Sequence, residues 1–287
     1  MTLRDWIING QDILKASDIE DYENDTRVLA MFAFDISYTD MFMKMTEEMP
    51  DEDADFFMNC INLRSTHMPC QYITGSQEFM GYEFGTEDGV LIPRQETELL
   101  VEKALELTSG MKSVKALDMC TGSGCIGISY ELKRRESGFK NDEVHLADIS
   151  EDAIYVAEKN KYKLGAKCSI IKSDLFEKIK DRYDIIMSNP PYIRTSDIDD
   201  IMEEVRAFEP RIALDGDLDG LSFYKRLALE SGEYLYKGGI LIMEIGFDQY
   251  KDVRKLLIDN NFNNISVIKD YAGLDRIVVA YATEHDY

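Results

Sequence analysis

The rhythm of apolar positions along the chain changes once, near residue 75. Before it they recur at helical spacing: Trp6, Ile7, Ile13 and Leu14, then Val28, Leu29, Phe32, Ala33 and Ile36, then Phe56, Phe57, Cys60, Ile61 and Leu63. No strand-like alternation interrupts them. Residues 1–73 are therefore expected to form a small N-terminal helical bundle with these side chains as its packed core. Residues 74–92 set Gly75, Gly81, Gly85 and Gly89 among aromatic and branched residues, the pattern of a hairpin connector. From residue 93 to residue 287 short apolar runs alternate with helical segments. Strands are expected over 114–120, 144–149, 168–174, 183–189, 238–245, 265–271 and 276–282. Helices are expected over 96–108, 125–135, 151–163, 219–235 and 248–260. Such alternation predicts an α/β fold with a Rossmann-like, mainly parallel sheet covered on both faces. Two strand candidates in succession at the end allow an antiparallel edge strand.

Sheets of this kind bind ligands beyond the carboxyl ends of their strands. The first four strands end at Asp118–Gly124, Asp148, Asp174 and Asn189, and each end carries polar residues or glycine. In "DMCTGSGCIG" (118–127), Gly122, Gly124 and Gly127 fit GxGxxG between a strand and a helix. The bland reading is a tight turn. A dinucleotide suits the loop poorly, because Asp118 would oppose a pyrophosphate and no basic residue answers it. S-adenosylmethionine suits it better: it carries a sulfonium and an ammonium, and its carboxylate can use N–H groups at the helix start. Asp148 can accept from both ribose hydroxyls; the competing role, capping the next helix, already falls to Ser150, Glu151 and Asp152. Asp174 can accept from an adenine amino group with Leu175 packed on the ring, or it is simply a turn aspartate.

The formal net charge of −23 changes what this site can serve. Such a surface repels a phosphate backbone, so nucleic acid is not expected as a direct partner. "KRR" at 133–135 is short and reads as a solvated face in a helix-to-strand connection. Cys60, Cys70, Cys120, Cys125 and Cys168 form no CxxC pair, and His67, His145 and His285 are scattered, so no metal is expected. "DGDLDG" (215–220) opens like a calcium loop, but Arg226 stands at its twelfth position where a glutamate should be. No run approaches the ~20 apolar residues of a membrane span, and the mixed-charge N-terminus is unlike a secretion signal, so a cytoplasmic monomer is expected.

The fourth strand ends in "SNPPYIR" (188–194). One proline would end a strand. Two fix the backbone, remove two N–H donors and leave carbonyls free to accept. "SNPPY" after a glycine loop is the signature of Rossmann-like class I amino-methyltransferases, adenine-N6 enzymes among them. The blocks "QYITGSQEFMGYEF" (71–84), "LIPRQETELLVE" (91–102), "LDMCTGSGCIGIS" (117–129), "SNPPYI" (188–193) and "VRAFEPRIALDGDLDGLSFYKRL" (205–227) are similar, in order and spacing, to the PrmC/HemK family. Members methylate the glutamine side-chain amide of peptide-chain release factors. The resemblance spans essentially the whole chain and is weakest over residues 1–70. It implies that Cys120, Thr121, Gly122, Ser123, Gly124 and Asp148 bind S-adenosylmethionine. It implies that Asn189, Pro190, Pro191 and Tyr192 hold the target glutamine, and that the helical bundle helps grip the release factor. The family usually has glycine where this chain has Cys120, and an ordinary φ is expected there. "LIPRQETE" (91–98) opens a helix that Thr97 or its acids can cap; the resemblance puts it beside the substrate pocket, with Arg94 as a contact.

An amide nitrogen is a poor nucleophile whose two N–H groups normally bond to water. The Asn189 side-chain oxygen and the Pro190 carbonyl can replace that water, while Pro191 stiffens the pair and Tyr192 packs on the planar group. Two other readings compete: an adenine-N6 nucleic-acid methyltransferase, which would need a basic groove, and a silent binding module, which would not need the intact Asn189–Tyr192 set.

Overall fold

The computed structural model describes residues 1–283; His285 lies outside the described residues. The chain forms two compact units. The first comprises Met1–Ser76 with Ile201–Phe208. Its helices span Leu3–Ala16, Tyr22–Ala33, Tyr38–Met43, Asp51–Arg64, Cys70–Thr74 and Glu203–Phe208. Leu3, Leu14, Leu29, Phe57 and Ile61 make its core. Gly10 lets helices approach, since a Cβ there would stand 3.0 Å from Ile61, Phe57 and Thr26. Phe32 and Phe56, expected in the core, instead form an exposed ring pair at 5.7 Å. The distant segment 201–208 belongs here for an electrostatic reason. Arg64 is buried, and its guanidinium needs charge partners. It donates to Asp25 at 2.7 Å and to Glu204 at 2.7 Å.

The second unit, Gln77–Asp200 with Glu209–Tyr287, holds the site; its described part ends at residue 283. Strands β1 (Ser76–Phe79) and β2 (Tyr82–Gly85) pair as a ribbon. Met80 and Gly81 join them, both at positive φ (55° and 79°), as a tight two-residue hairpin turn requires. The ribbon is tied to the helix Glu151–Leu164: the Asn160 side chain accepts from the Gly85 N–H at 2.7 Å and donates to its carbonyl at 3.1 Å.

Seven strands form the main sheet: β3 (Lys115–Met119), β4 (Glu143–Asp148), β5 (Cys168–Lys172), β6 (Tyr183–Ser188), β7 (Leu235–Glu244), β8 (Phe262–Lys269) and β9 (Asp275–Ala282). Their order is β5-β4-β3-β6-β7-β9-β8. The first five run parallel; β9 is antiparallel to both β7 and β8. The direction of build-up reverses between β3 and β6, which opens a crevice at their carboxyl ends. Helices cover both faces, so the central strands are largely apolar; Leu117, Ile185, Ile186 and Ile242 are fully buried. Between β6 and β7 lie a 3₁₀ turn (Thr195–Asp200) and the helices Arg211–Leu214 and Ser222–Tyr234, the first two of which no periodicity announced.

Lys133–Arg135 are not a solvated connection. They close the helix Cys125–Glu136, and Arg134 is buried. Its guanidinium bonds Asp142 at 2.7 Å and donates to the Thr108 and Met111 carbonyls at 2.7 and 3.0 Å. Its donors are answered inside the fold, which is what permits the burial.

Candidate functional site

One cavity opens at the switch point, bounded by the ends of β3, β4 and β6 and by the loop after β5. Of the residues singled out in the sequence, Arg94, Cys120, Thr121, Gly122, Ser123, Asp148, Asp174, Leu175, Asn189 and Pro191 line it. Asp118, Gly124, Pro190 and Tyr192 stand behind the lining and support it from there.

Asp118 is fully buried beneath the glycine loop. Its Oδ2 accepts from the Thr121 hydroxyl and from the Gly127 N–H at 2.9 Å, which ties the loop to the first helical turn. Its Oδ1 has no partner among the described residues. Burial pushes this carboxyl up to about 7, against the pull of its two donors. Gly124 serves packing: a Cβ there would meet Ile128 at 2.7 Å and Leu146 at 3.2 Å, so helix and sheet could not close.

The loop is held in a sparsely populated conformation. Cys120 has φ 59°, Gly122 54° and Gly124 84°. The ordinary φ expected at Cys120 is therefore overturned: the chain keeps the left-handed backbone that glycine would adopt at no cost, with a Cβ added. Leu175, which also lines the cavity, has φ 43° and is buried. Two non-glycine residues in this region around one cavity amount to stored strain, each about 1–3 kcal/mol. The Cys120 thiol is pushed well above its usual range, first by burial and then by the nearby Asp148 charge, which disfavours its thiolate form.

Asp148 joins two loops. Its Oδ2 accepts from the Gly122 N–H at 2.9 Å and its Oδ1 from the Ser150 N–H at 2.9 Å. Ser150 itself caps the helix Glu151–Leu164, accepting from Ala153 N–H. A carboxylate offers about four acceptor positions, so Asp148 keeps two for a ligand. Burial raises it also. Asp174 accepts from Arg226 at 2.6 Å, and Arg226 also bonds Glu230. Arg94 is paired with Glu209. The two cations at the cavity are thus already matched, while buried Asp118 and half-buried Asp148 have none among the described residues. The Gly124 cap of the helix Cys125–Glu136 has no side chain to offer, and of the first-turn N–H groups that of Gly127 is already taken by Asp118. This donor and acceptor set fits a ligand with positive charge, hydroxyls and a carboxylate, and poorly fits a pyrophosphate.

The β6 end carries the acceptors. Asn189 donates its Nδ2 to Thr97 Oγ1 at 3.2 Å, and its Oδ1 has no partner among the described residues. Pro190 is buried, yet its carbonyl likewise has none. Buried acceptors are normally paired, so an unpaired one beside a cavity points to a ligand. Tyr192 directs its hydroxyl to Glu244 at 3.4 Å rather than into the cavity.

The segment Pro191–Arg194 is clamped from both sides. Ile193 N–H donates to Leu214 O at 2.9 Å, and Gly216 N–H donates back to Ile193 O at 2.8 Å. Buried Gln249 donates to the Tyr192 carbonyl at 2.9 Å and accepts from Gly246 N–H at 2.9 Å. The glycines of "DGDLDG" are needed here. A Cβ on Gly216 would stand 2.9 Å from Tyr192 Cα, and one on Gly220 2.6 Å from the Tyr192 carbonyl oxygen. Two of its acids, Asp215 and Asp219, bond Arg211 and Lys225.

Thr97, read as a cap, caps nothing: its hydroxyl donates to Glu244 Oε2 at 2.6 Å. Glu244 and Gln249 went unnoticed in the sequence. The signal for Glu244 was present, since an acid closes the apolar run "GGILIMEI" (238–245). Away from the cavity, at the amino-terminal edge of the sheet, Glu143, His145 and Asp181 come together. The Lys115 ammonium lies 2.9 Å from Glu143 and 3.3 Å from Asp181, so that cluster already has its cation. Among the described residues no helix is long and apolar enough to cross a membrane.

Comparison with known proteins bears on the same site. Residues 5–75 match the family described as the PrmC N-terminal domain, and residues 94–209 match the methyltransferase small domain. A release factor glutamine methyltransferase of Clostridium acetobutylicum is 38% identical over 285 residues, covering 98% of each chain. One of Clostridium botulinum is 37% identical over 287 residues, covering 98% of this chain and 99% of its own. Among solved structures, a 16S rRNA methyltransferase from T. thermophilus in complex with AdoMet and guanosine aligns with a TM-score of 0.50. Its identity is 17%, over 72% of this chain and 49% of its own, a likeness of fold alone.

Proposed function

Because the chain belongs to the release factor glutamine methyltransferase family, we propose that it methylates the side-chain amide nitrogen of the glutamine in the Gly-Gly-Gln motif of peptide-chain release factors. The methyl donor is S-adenosylmethionine, and the product is S-adenosylhomocysteine. The observation that carries this reading is the pair of unfilled acceptors, Asn189 Oδ1 in the lining of the cavity and the Pro190 carbonyl next to it in the chain, with unmatched carboxylates across the same cavity.

Bound in that cavity, S-adenosylmethionine supplies a methyl group on a good leaving group. The residues that would hold it are the loop Cys120–Gly124, Asp148 through its two remaining acceptor positions, and Asp174 with Leu175. Asn189 and Pro190 each accept one N–H of the glutamine amide. That fixes the plane of the amide and turns the nitrogen lone pair toward the cavity. The same acceptors favour the positive charge that builds on nitrogen as its bond to carbon forms. The nitrogen then loses its surplus proton to water; such a cation is acidic enough to need no base. Pro191 and the Gln249 clamp keep the acceptors from moving, so their orientation is set before the substrate arrives. The helical unit of residues 1–76 and 201–208 contributes to gripping the release factor.

The test uses labelled S-adenosylmethionine with a release factor, the same factor with its Gly-Gly-Gln glutamine replaced, and DNA. Label is expected on the intact factor alone. Label on the replaced factor, or only on DNA, would overturn the reading.

A further inference from the structure

Three side chains from three separate elements meet behind the acceptor pair. Thr97 comes from the first turn of the helix Gln95–Thr108, Glu244 from the end of β7, and Asn189 from the end of β6. Thr97 and Glu244 are both buried. Thr97 Oγ1 lies 2.6 Å from Glu244 Oε2 and 3.2 Å from the Asn189 amide. A threonine hydroxyl carries one proton. The Thr97 and Tyr192 hydroxyls and the nearby Arg276 charge favour Glu244 as a carboxylate against its burial. A carboxylate can only accept, and the Tyr192 hydroxyl points at its other oxygen. The Thr97 proton is therefore committed to Glu244, and its oxygen has only lone pairs left to offer. The atom of Asn189 facing it must be a donor, which is Nδ2. The opposite amide rotamer would set two acceptors against each other at that distance.

On the reading of function above, we infer that Glu244 and Thr97 are positioning residues: they set the Asn189 amide so that Oδ1, not the NH2 group, meets the substrate. The substrate amide brings two N–H donors. A flipped Asn189 would present donors to donors and offer no acceptor for the nitrogen's proton. Nothing else among the described residues fixes this choice, because Oδ1 has no partner of its own there. The assignment also accounts for a buried acid at the end of an apolar strand, which would otherwise be a cost without a return.

The variant that isolates the effect is Thr97→Val, which keeps the shape and removes the hydroxyl. Its expected kcat on a Gly-Gly-Gln release-factor domain is about 10- to 100-fold below wild type, the size of a misplaced substrate contact. Cofactor affinity stays within about threefold, and Thr97→Ser recovers most of the loss. In an Asn189→Ala background, Thr97→Val is expected to cost nothing further, because residues acting through one another are not additive. Wild-type kcat in Thr97→Val, or an equal loss in both backgrounds, would overturn the inference. Should Thr97→Val fail to fold, a neutron structure of the wild type decides. Deuterons of Asn189 directed at Thr97 Oγ1 support the assignment, and the amide oxygen there overturns it. A wild-type protein with no turnover on the release-factor domain would instead sink the proposed function, and the neutron structure would still report on the amide.

Discussion

At the scale of single residues, the cavity is built from side chains held where they are not most at ease. Cys120 occupies a left-handed backbone position at φ 59°. Cys120→Gly is expected to raise stability by about 1 kcal/mol, the left-handed penalty relieved less the entropy glycine adds to the unfolded chain. Thermal denaturation measures it; a loss of stability would mean that the Cys120 side chain contributes more in packing than its backbone costs. Asp118 carries a second strain, an ionisable group buried with no cation. Its pKa in the folded chain, about 7, stands above the ordinary aspartate value of 3.8 that it regains on unfolding. Between those values the folded chain keeps a proton that the unfolded chain has lost. Its contribution to stability therefore falls as pH rises through that window and is constant above it. Asp118→Asn cannot ionise. Its stability relative to wild type is expected to improve from pH 4.5 to pH 7.5, by on the order of 1 kcal/mol or more, since a tenfold change in proton affinity corresponds to about 1.4 kcal/mol. Chemical denaturation across that range checks it, and a flat difference would place the Asp118 proton elsewhere. Neither strain could be read in the sequence. "DMCTGSG" shows an acid and a cysteine but not a φ angle or a missing partner. The same blindness hid Arg134, whose burial depends on Asp142 and on two carbonyls far from it in the chain.

At the scale of elements, what could be read was what is periodic or punctuated. The parallel strands are buried on both faces, so they show as unbroken apolar runs, and helix starts are marked by caps such as Ser150. Their order along the chain then fixed which ends meet. The stretch between β6 and the helix Ser222–Tyr234 resisted, because its pieces are a turn and two helices of four to six residues, too short to show a period. Yet its loop 214–220 shapes the acceptor site, lying along Pro191–Arg194 with Gly216 and Gly220 giving room for the backbone. Gly220→Ala joins a clash at 2.6 Å with the Tyr192 carbonyl to a strained φ of 69°. The clash falls on backbone, which cannot rotate away. The substitution is expected to lower methyl transfer at least about tenfold by shifting the acceptors, with cofactor binding retained. Normal turnover in a folded Gly220→Ala protein would show that the loop does not hold the acceptor segment.

At the scale of the whole molecule, charge and architecture agree. A chain with a net charge of −23 has little to offer a phosphate backbone, and the cavity brings carboxyls rather than unmatched cations, although burial works against the ionisation of Asp118, Asp148 and Glu244. The cationic methyl donor and the neutral amide are both compatible with such a field. Long-range contacts complete the arrangement: Asn189 is 92 positions from Thr97, and Tyr192 is 57 from Gln249. The acceptor motif was legible in four adjacent residues, whereas its supports were scattered and became visible only in the fold. The central claim is that Asn189 accepts from the substrate amide. It is tested most directly by single-turnover methyl transfer to a Gly-Gly-Gln release-factor domain by Asn189→Ala, with cofactor binding measured by calorimetry on the same protein. Loss of one preorganised partner is expected to slow transfer about 10²- to 10³-fold, roughly 2.7–4 kcal/mol, with the cofactor still bound. Near-normal transfer with the cofactor bound would contradict the account.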